Sequence, residues 1–263
     1  MKLGIFDSGL GGLLITKAVQ ERFPDLDILY LGDTLHLPYG NRSAEAIYAY
    51  TLRCMEYMFA HNCRMIIIAC NTASATALRR LQQTYLPKHY PDRRILGVIV
   101  PTIEHAADSG YKNIGVIGTN YTVSTNVYEE ELKKIDPQTR IILRKTPLLV
   151  PLIENEGQPW IDDVLRHYID PLVTQNIEAL ILGCTHYAYL KKNIKKHFSF
   201  DIIAQDEIIP EKLELYFKNH PEIYNDIGRE GRTEFQVTDL TENYERSAQE
   251  IYGRALELKH VEI

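Results

Sequence analysis

The sequence predicts an α/β protein of two pseudo-twofold-related domains, each a mainly parallel sheet flanked by helices, with the active site in the cleft between them. Three observations carry this expectation. Short apolar runs alternate with amphipathic stretches along the whole 263-residue chain, the pattern of parallel strands joined by crossover helices. Similar blocks recur at a nearly constant spacing. Two cysteines also end apolar runs in matching settings, Met65-Ile66-Ile67-Ile68-Ala69-Cys70 and Ala179-Leu180-Ile181-Leu182-Gly183-Cys184.

Strands are expected at residues 3–6, 28–31, 65–69, 95–100, 114–117, 141–143, 179–182 and 202–204. Helices fill the intervals. One is expected from Ser43, a good N-cap, with Ile47, Tyr50, Thr51, Cys54, Met55, Met58 and Phe59 on one stripe. A second stripe combines Trp160, Ile161, Val164, Leu165, Tyr168 and Ile169. Both stripes read as core.

Gly4-Ile5-Phe6-Asp7-Ser8 aligns with Gly115-Val116-Ile117-Gly118-Thr119 at an offset of 111, Leu37-Pro38 with Val150-Pro151 at 113, and Cys70 with Cys184 at 114. Three similar offsets in one order point to an α/β unit used twice, which would set the two thiols across a shared cleft. The expected division is a first domain of residues 1–96 with 208–263 and a second of 97–207. The chain from about Asp206 onward reads as helical and charged, packing back on the first domain.

Hydrophobic residues make up 45% of the chain and charged residues 24%, as in ordinary globular proteins, and the net charge of −6 gives no basic footprint for nucleic acid. Asp7 interrupts the first apolar run too early for a signal peptide, and no run reaches the length of a membrane span. A cytoplasmic protein with no membrane partner is therefore expected. The four cysteines, Cys54, Cys63, Cys70 and Cys184, contain no C-x-x-C pair, so each is core packing or chemistry. Cys54 falls on a helical stripe and Cys63 in a loop before a strand, and both read as structural.

Cys70 and Cys184 differ because a helix start is expected directly after each, and the positive end of a helix lowers a thiol pKa from its usual value of about 8.5. His186 lies in the Cys184-Thr185-His186 turn, where an imidazole can exchange a proton with a thiol. Asp7 ends the first strand, and reads either as a helix cap or as a carboxylate in proton exchange. The turn Ser8-Gly9-Leu10-Gly11-Gly12 resembles a nucleotide loop, but Leu14 stands where a third glycine is needed and no Gly-Lys-Ser/Thr follows. A small anion suits it better than a nucleotide. Ser8, Asn71, Thr72, Thr119 and Thr185 occupy expected strand-end loops, where α/β sheets gather ligands. No second ligand lies at helical spacing from His186, so no metal site is expected.

Together these strings resemble the glutamate racemases of the aspartate/glutamate racemase superfamily. The resemblance runs through Phe6-Asp7-Ser8-Gly9-Leu10-Gly11-Gly12-Leu13, Gly32-Asp33-Thr34 with Pro38-Tyr39-Gly40, Ala69-Cys70-Asn71-Thr72-Ala73-Ser74-Ala75, Gly115-Val116-Ile117-Gly118-Thr119, Val150-Pro151-Leu152-Ile153-Glu154 and Leu182-Gly183-Cys184-Thr185-His186. The Cys-Thr-His form looks like the glutamate enzymes, whereas aspartate racemases more often show Cys-Thr-Glu.

The resemblance implies cofactor-independent interconversion of L- and D-glutamate, supplying the D-isomer for peptidoglycan. It implies that the Cys70 thiolate removes the α-proton of D-glutamate while the Cys184 thiol protonates the opposite face. Asp7 would assist Cys70, and His186 would assist Cys184, with Glu154 as a further acid or base. Implied substrate contacts are Asp7, Ser8, Pro38, Tyr39, Gly40, Asn71, Thr72, Thr119, Thr185 and His186. The resemblance also leaves room for a homodimer. Departures are His36 where the family commonly has Arg or Lys, Tyr187-Ala188 where Phe-Pro is frequent, and Gln205-Asp206-Glu207 in place of Asp-Ser-Ala.

Three alternatives fit parts of this pattern. A related racemase, isomerase or decarboxylase would keep the fold and change the substrate, and an amino-acid-binding protein would close on a ligand without turnover. A pyridoxal phosphate racemase would need a Schiff-base lysine, and none lies at a comparable strand end.

Overall fold

Apolar residues at consecutive positions of a strand can all be buried only if both faces of its sheet are covered, and the chain folds accordingly. The computed structural model describes residues 1–155 and 157–263. Its strands are β1 Lys2–Asp7, β2 Ile28–Gly32, β3 Cys63–Ile68, β4 Arg94–Gly97, β5 Asn113–Gly118, β6 Arg140–Lys145, β7 Ala179–Gly183, β8 Asp201–Ile203, β9 Thr233–Val237 and β10 Leu258–His260. They form two sheets, in the orders β10-β9-β2-β1-β3-β4 and β6-β5-β7-β8, with every pairing parallel.

The helices are α1 Gly12–Arg22, α2 Ala44–Ala60, α3 Asn71–Arg80, α4 Leu86–His89, α5 Ile99–Asp108, α6 Asn120–Ser124 and α7 Val127–Ile135, followed by α8 Leu149–Glu154, α9 Gln158–Val173, α10 Lys191–His197, α11 Gln205–Asn219, α12 Pro221–Asp226 and α13 Glu242–Tyr252. In β3, Met65 and Ile67 belong to one core, shared with Leu13 and Ile15 of α1, while Ile66 and Ile68 belong to the other, shared with Met55 and Met58 of α2. That period of two explains why an unbroken apolar run is a strand here.

The order β2-β1-β3-β4 in the first sheet is repeated as β6-β5-β7-β8 in the second. The sequence offsets therefore correspond to structure: β1 matches β5, and the strands leading to Cys70 and Cys184, β3 and β7, lie beside them in the same positions. The chain leaves the first sheet after β4 and returns through α11, which packs on α1 with Phe217 edge-to-face against Phe23 at 5.6 Å.

All eight expected strands are present, with differences at their ends and beyond them. The run at residues 95–100 is a strand only to Gly97, because Val98 is already helical and caps α5. Cys63 opens β3 and is buried there, not in a loop. The segment after Asp206 is not only helical, since it adds β9 and β10 to the first sheet. In β9, Glu234 is exposed while Gln236 and Val237 are buried, and such a mixed strand gives a weak apolar signal. Ser43 caps α2 as expected, accepting from the Ala46 N–H at 3.3 Å. Trp160, expected in the core stripe of α9, is 60% exposed, whereas Ile161, Leu165, Tyr168 and Ile169 are buried. No helix among the described residues is long and apolar enough to cross a membrane.

Candidate active site

Parallel strands deliver their C-terminal ends to one edge of a sheet, where loops gather functional groups, and here both sheets deliver to one cavity. Cys70 follows β3, and Cys184 follows β7. Both line this cavity, together with Ser8, Asn71, Thr72, Thr119, Thr185 and His186. Pro38, Tyr39 and Gly40 form its lip. The lip rests on the second unit: a Cβ on Gly40 would stand 2.7 Å from that of Thr119. Neither Lys nor Arg is among the described residues that line the cavity.

Each thiol has its own polar surroundings. Cys70 is the N-cap of α3, its Sγ 3.2 Å from Ser8 Oγ and accepting from the Ala73 N–H at 3.4 Å. Burial pushes the Cys70 thiol up to about 12, with the Asp7 charge adding to it against the Ser8 and Ala73 hydrogen bonds. Cys184 Sγ lies 3.8 Å from His186 Nδ1, and His186 Nε2 lies 2.8 Å from Glu154 Oε1. Burial alone would lower the His186 pKa, but its bonds to Cys184 and Glu154 hold it well above the usual imidazole value. The helix start expected after Cys184 is a 3₁₀ segment, Thr185–Leu190, that runs directly into α10.

Asp7 and Glu154 are placed behind the lining. Asp7 is fully buried at the end of β1, accepting from the Gly9 N–H at 3.1 Å and from the Thr185 hydroxyl at 3.2 Å. Burial raises its carboxyl pKa, and the nearby His186 charge and the Gly12, Gly9 and Thr185 hydrogen bonds pull it only partly back. Glu154, at the end of α8, touches the site through His186.

The glycine turn does not face the cavity as an anion loop. Gly11 is pressed against the Thr185–His186 turn, where a Cβ would stand 2.6 Å from the His186 backbone nitrogen. The Gly9 N–H is already spent on Asp7. The turn is therefore one of the contacts by which one unit seats against the other. Thr72 and Thr119 do face the cavity, and their hydroxyls lie 3.0 Å from each other and from that of the buried Thr122.

Residues 14–209 match the Asp/Glu/Hydantoin racemase family. The chain belongs to this family. Its relatives include glutamate racemases of Sulfurihydrogenibium sp. (40% identical, covering 96% of this chain and 94% of the relative) and Aquifex pyrophilus (39% identical, covering 100% and 98%). Among solved structures, glutamate racemase from Francisella tularensis in complex with D-glutamate superimposes with a TM-score of 0.89 at 28% identity, covering 99% of this chain and 97% of that one. The Aquifex pyrophilus enzyme gives a TM-score of 0.80 at 36% identity, covering 99% and 98%. Within the racemase family the chain thus groups with the glutamate enzymes.

In this racemase the cavity also takes in Leu37, Thr146, Val150, Pro151 and Tyr187, which the sequence did not single out as site residues. The repeat held a signal for some of them: Leu37-Pro38 and Val150-Pro151, aligned by offset alone, form matching parts of the wall. Thr146 carried none, and its hydroxyl is held 2.7 Å from Tyr187 Oη. Cys54 and Cys63 stay out of the cavity, and burial pushes both thiols up, Cys63 to about 12.

Proposed function

We propose that this chain interconverts L- and D-glutamate without a cofactor, by proton removal and return at two opposed thiols, Cys70 and Cys184, and supplies D-glutamate for peptidoglycan in the cytoplasm. The observation that carries the reading is that two thiols, one from each repeat, line one cavity and have different proton partners. In the proposed division, residues 1–96 with 208–263 carry Cys70, and residues 97–207 carry Cys184.

An α-proton beside a carboxylate is weakly acidic, so the base must be strong and the carbanion must be stabilised. A thiolate formed at Cys70 is a strong base, because burial and Asp7 both disfavour its charge. Once it has taken the proton, that disfavoured charge is gone from the sulfur. On the other face the His186 imidazolium, held charged by Glu154, can pass a proton to Cys184, and the neutral imidazole left behind can take one back from the thiol. In the reverse direction the roles exchange.

Substrate carboxylates would be met by hydroxyls and backbone N–H groups, since no Lys or Arg is among the described lining residues. Ser8, Thr72 and Thr119 supply hydroxyls, while Thr185, whose hydroxyl donates to Asp7, completes the wall. Asn71 and Thr72 open α3, where N–H groups have no partner inside the helix and the helix dipole favours an anion. Asp7, Pro38, Tyr39, Gly40 and His186 complete the proposed contacts. Asp7 acts from behind, through Thr185 and the charge it places near Cys70.

The test is incubation of the purified, cofactor-free protein with L-glutamate in deuterated water, following optical rotation and loss of the α-proton. Reaction of L-aspartate but not L-glutamate would overturn the substrate, and reaction of neither would overturn catalysis.

A further inference from the structure

The chemistry above leaves a buried polar cluster behind the cleft without a task. Asn71 follows Cys70, and Gln205 opens α11 just after β8. Their side-chain amides pair reciprocally, Asn71 Nδ2 donating to Gln205 Oε1 and Gln205 Nε2 donating to Asn71 Oδ1, each at 2.8 Å. Tyr128 of α7 donates its hydroxyl to the same Asn71 Oδ1 at 2.6 Å, and Gln205 Nε2 lies 3.2 Å from that hydroxyl. All three residues are at most 3% exposed.

Both lone pairs of the Asn71 amide oxygen are therefore occupied, and its nitrogen has a partner. These bonds commit the side chain to the second unit. The partners are tied to the second thiol. β8, which ends just before Gln205, pairs with β7, which leads to Cys184. Tyr128 lies against Gly183, where a Cβ would meet its ring at 3.4 Å. A continuous buried path thus runs from Cys70 through Asn71 to the strand and helix that hold Cys184.

We propose that Gln205 is a positioning residue: through Asn71 it fixes the gap between the two thiols. This rests on the two-thiol reading. Proton removal and return on opposite faces require both sulfurs to be in reach of one α-carbon at once, and a misplacement of about 1 Å can cost about 100-fold in rate. A reciprocal amide pair suits the task because it is directional, uncharged and costly to break when no water can replace it. An apolar pair of the same volume would fill the space and allow sliding.

The test replaces Gln205 by methionine, Gln205→Met, which keeps the length of the side chain and removes both amide bonds. Turnover in deuterated water is then followed in both directions. The expected result is a kcat lower by about 10- to 100-fold with little change in KM, and a higher ratio of deuterium in recovered substrate to deuterium in inverted product. A proton removed on one face would then wait for delivery on the other. Tyr128→Phe, which loses one hydroxyl, should shift the same ratio in the same direction to a smaller extent, and it reads the clamp even if Gln205→Met does not fold.

A raised KM with kcat and the ratio unchanged would overturn the proposal, by showing that the Asn71 side chain serves the substrate directly. Loss of thermal stability and activity at an unchanged ratio would also overturn it, by reducing the cluster to a structural role. If the unaltered protein exchanges no α-proton of glutamate, the two-thiol reading fails first and the clamp falls with it.

Discussion

Gly11 and His186 belong to different repeats, yet a Cβ on Gly11 would stand 2.6 Å from both the backbone nitrogen and Nδ1 of His186. One of these atoms is backbone, so relief requires the whole Thr185–His186 turn to move. Gly11→Ala should then destabilise the protein by about 1–3 kcal/mol through overpacking and lower turnover by displacing His186 from Cys184. Thermal melting and kcat check it, and unchanged kcat would show that the turn has room to give.

The His186–Glu154 pair, at 2.8 Å, sets a pH dependence. Because the folded pKa of His186 is raised, its contribution to stability is full below the usual imidazole value of about 6.5 and is lost as pH rises through the folded pKa. Glu154→Gln removes the carboxylate, so the folded pKa falls, the contribution shrinks and its loss is complete at lower pH. Urea denaturation between about pH 6 and pH 9 should show the difference, with turnover lower by about 10-fold or more from the weakened proton transfer. Superimposable stability profiles would show that Cys184 alone holds the imidazolium.

Strand-end cysteines are legible because a two-face-covered strand leaves an unbroken apolar run, and the repeat alone sets Cys70 and Cys184 across one cleft. The resemblance supplied Asp7, Glu154 and the lip, and all lie at or directly behind the cavity. What escaped is what no local pattern encodes. Gln205 meets Asn71 across 134 residues, and nothing in the start of a charged helix marks a buried amide. The glycine turn is ambiguous in sequence because glycine serves close packing and anion binding equally well, and here Gly11 packs against His186. Trp160 has the helical spacing of its buried neighbours yet faces outward, so periodicity alone did not fix the edge of the buried stripe.

Asp7 illustrates function held at the expense of stability. Its folded pKa is raised chiefly by burial, so its contribution is fully present below the unfolded carboxyl value and is lost as pH rises through the folded pKa. At neutral pH the buried charge is therefore a net burden. Asp7→Asn should raise the melting temperature, at about 2–4 °C for each kcal/mol relieved, because the amide oxygen still accepts from Gly9 and the Thr185 hydroxyl can reverse to accept from the new NH₂. Turnover should fall in the same variant. A lower melting temperature would mean that the attraction to His186 outweighs the cost of burial.

The two thiols can be separated by which enantiomer each one opens. On the proposed assignment Cys70 attacks D-glutamate and Cys184 attacks L-glutamate, so neither Cys70→Ala nor Cys184→Ala should racemise either isomer. Cys184→Ala should still exchange the α-proton of D-glutamate with deuterated water, and Cys70→Ala that of L-glutamate, each without inversion. Each change removes one buried thiol group, so folding should survive with a loss of about 1 kcal/mol. Proton NMR of the α-position, run on each isomer with each variant, gives four readings. Exchange of both isomers by one variant would mean that a single base serves both faces, and racemisation by either would remove the need for two thiols.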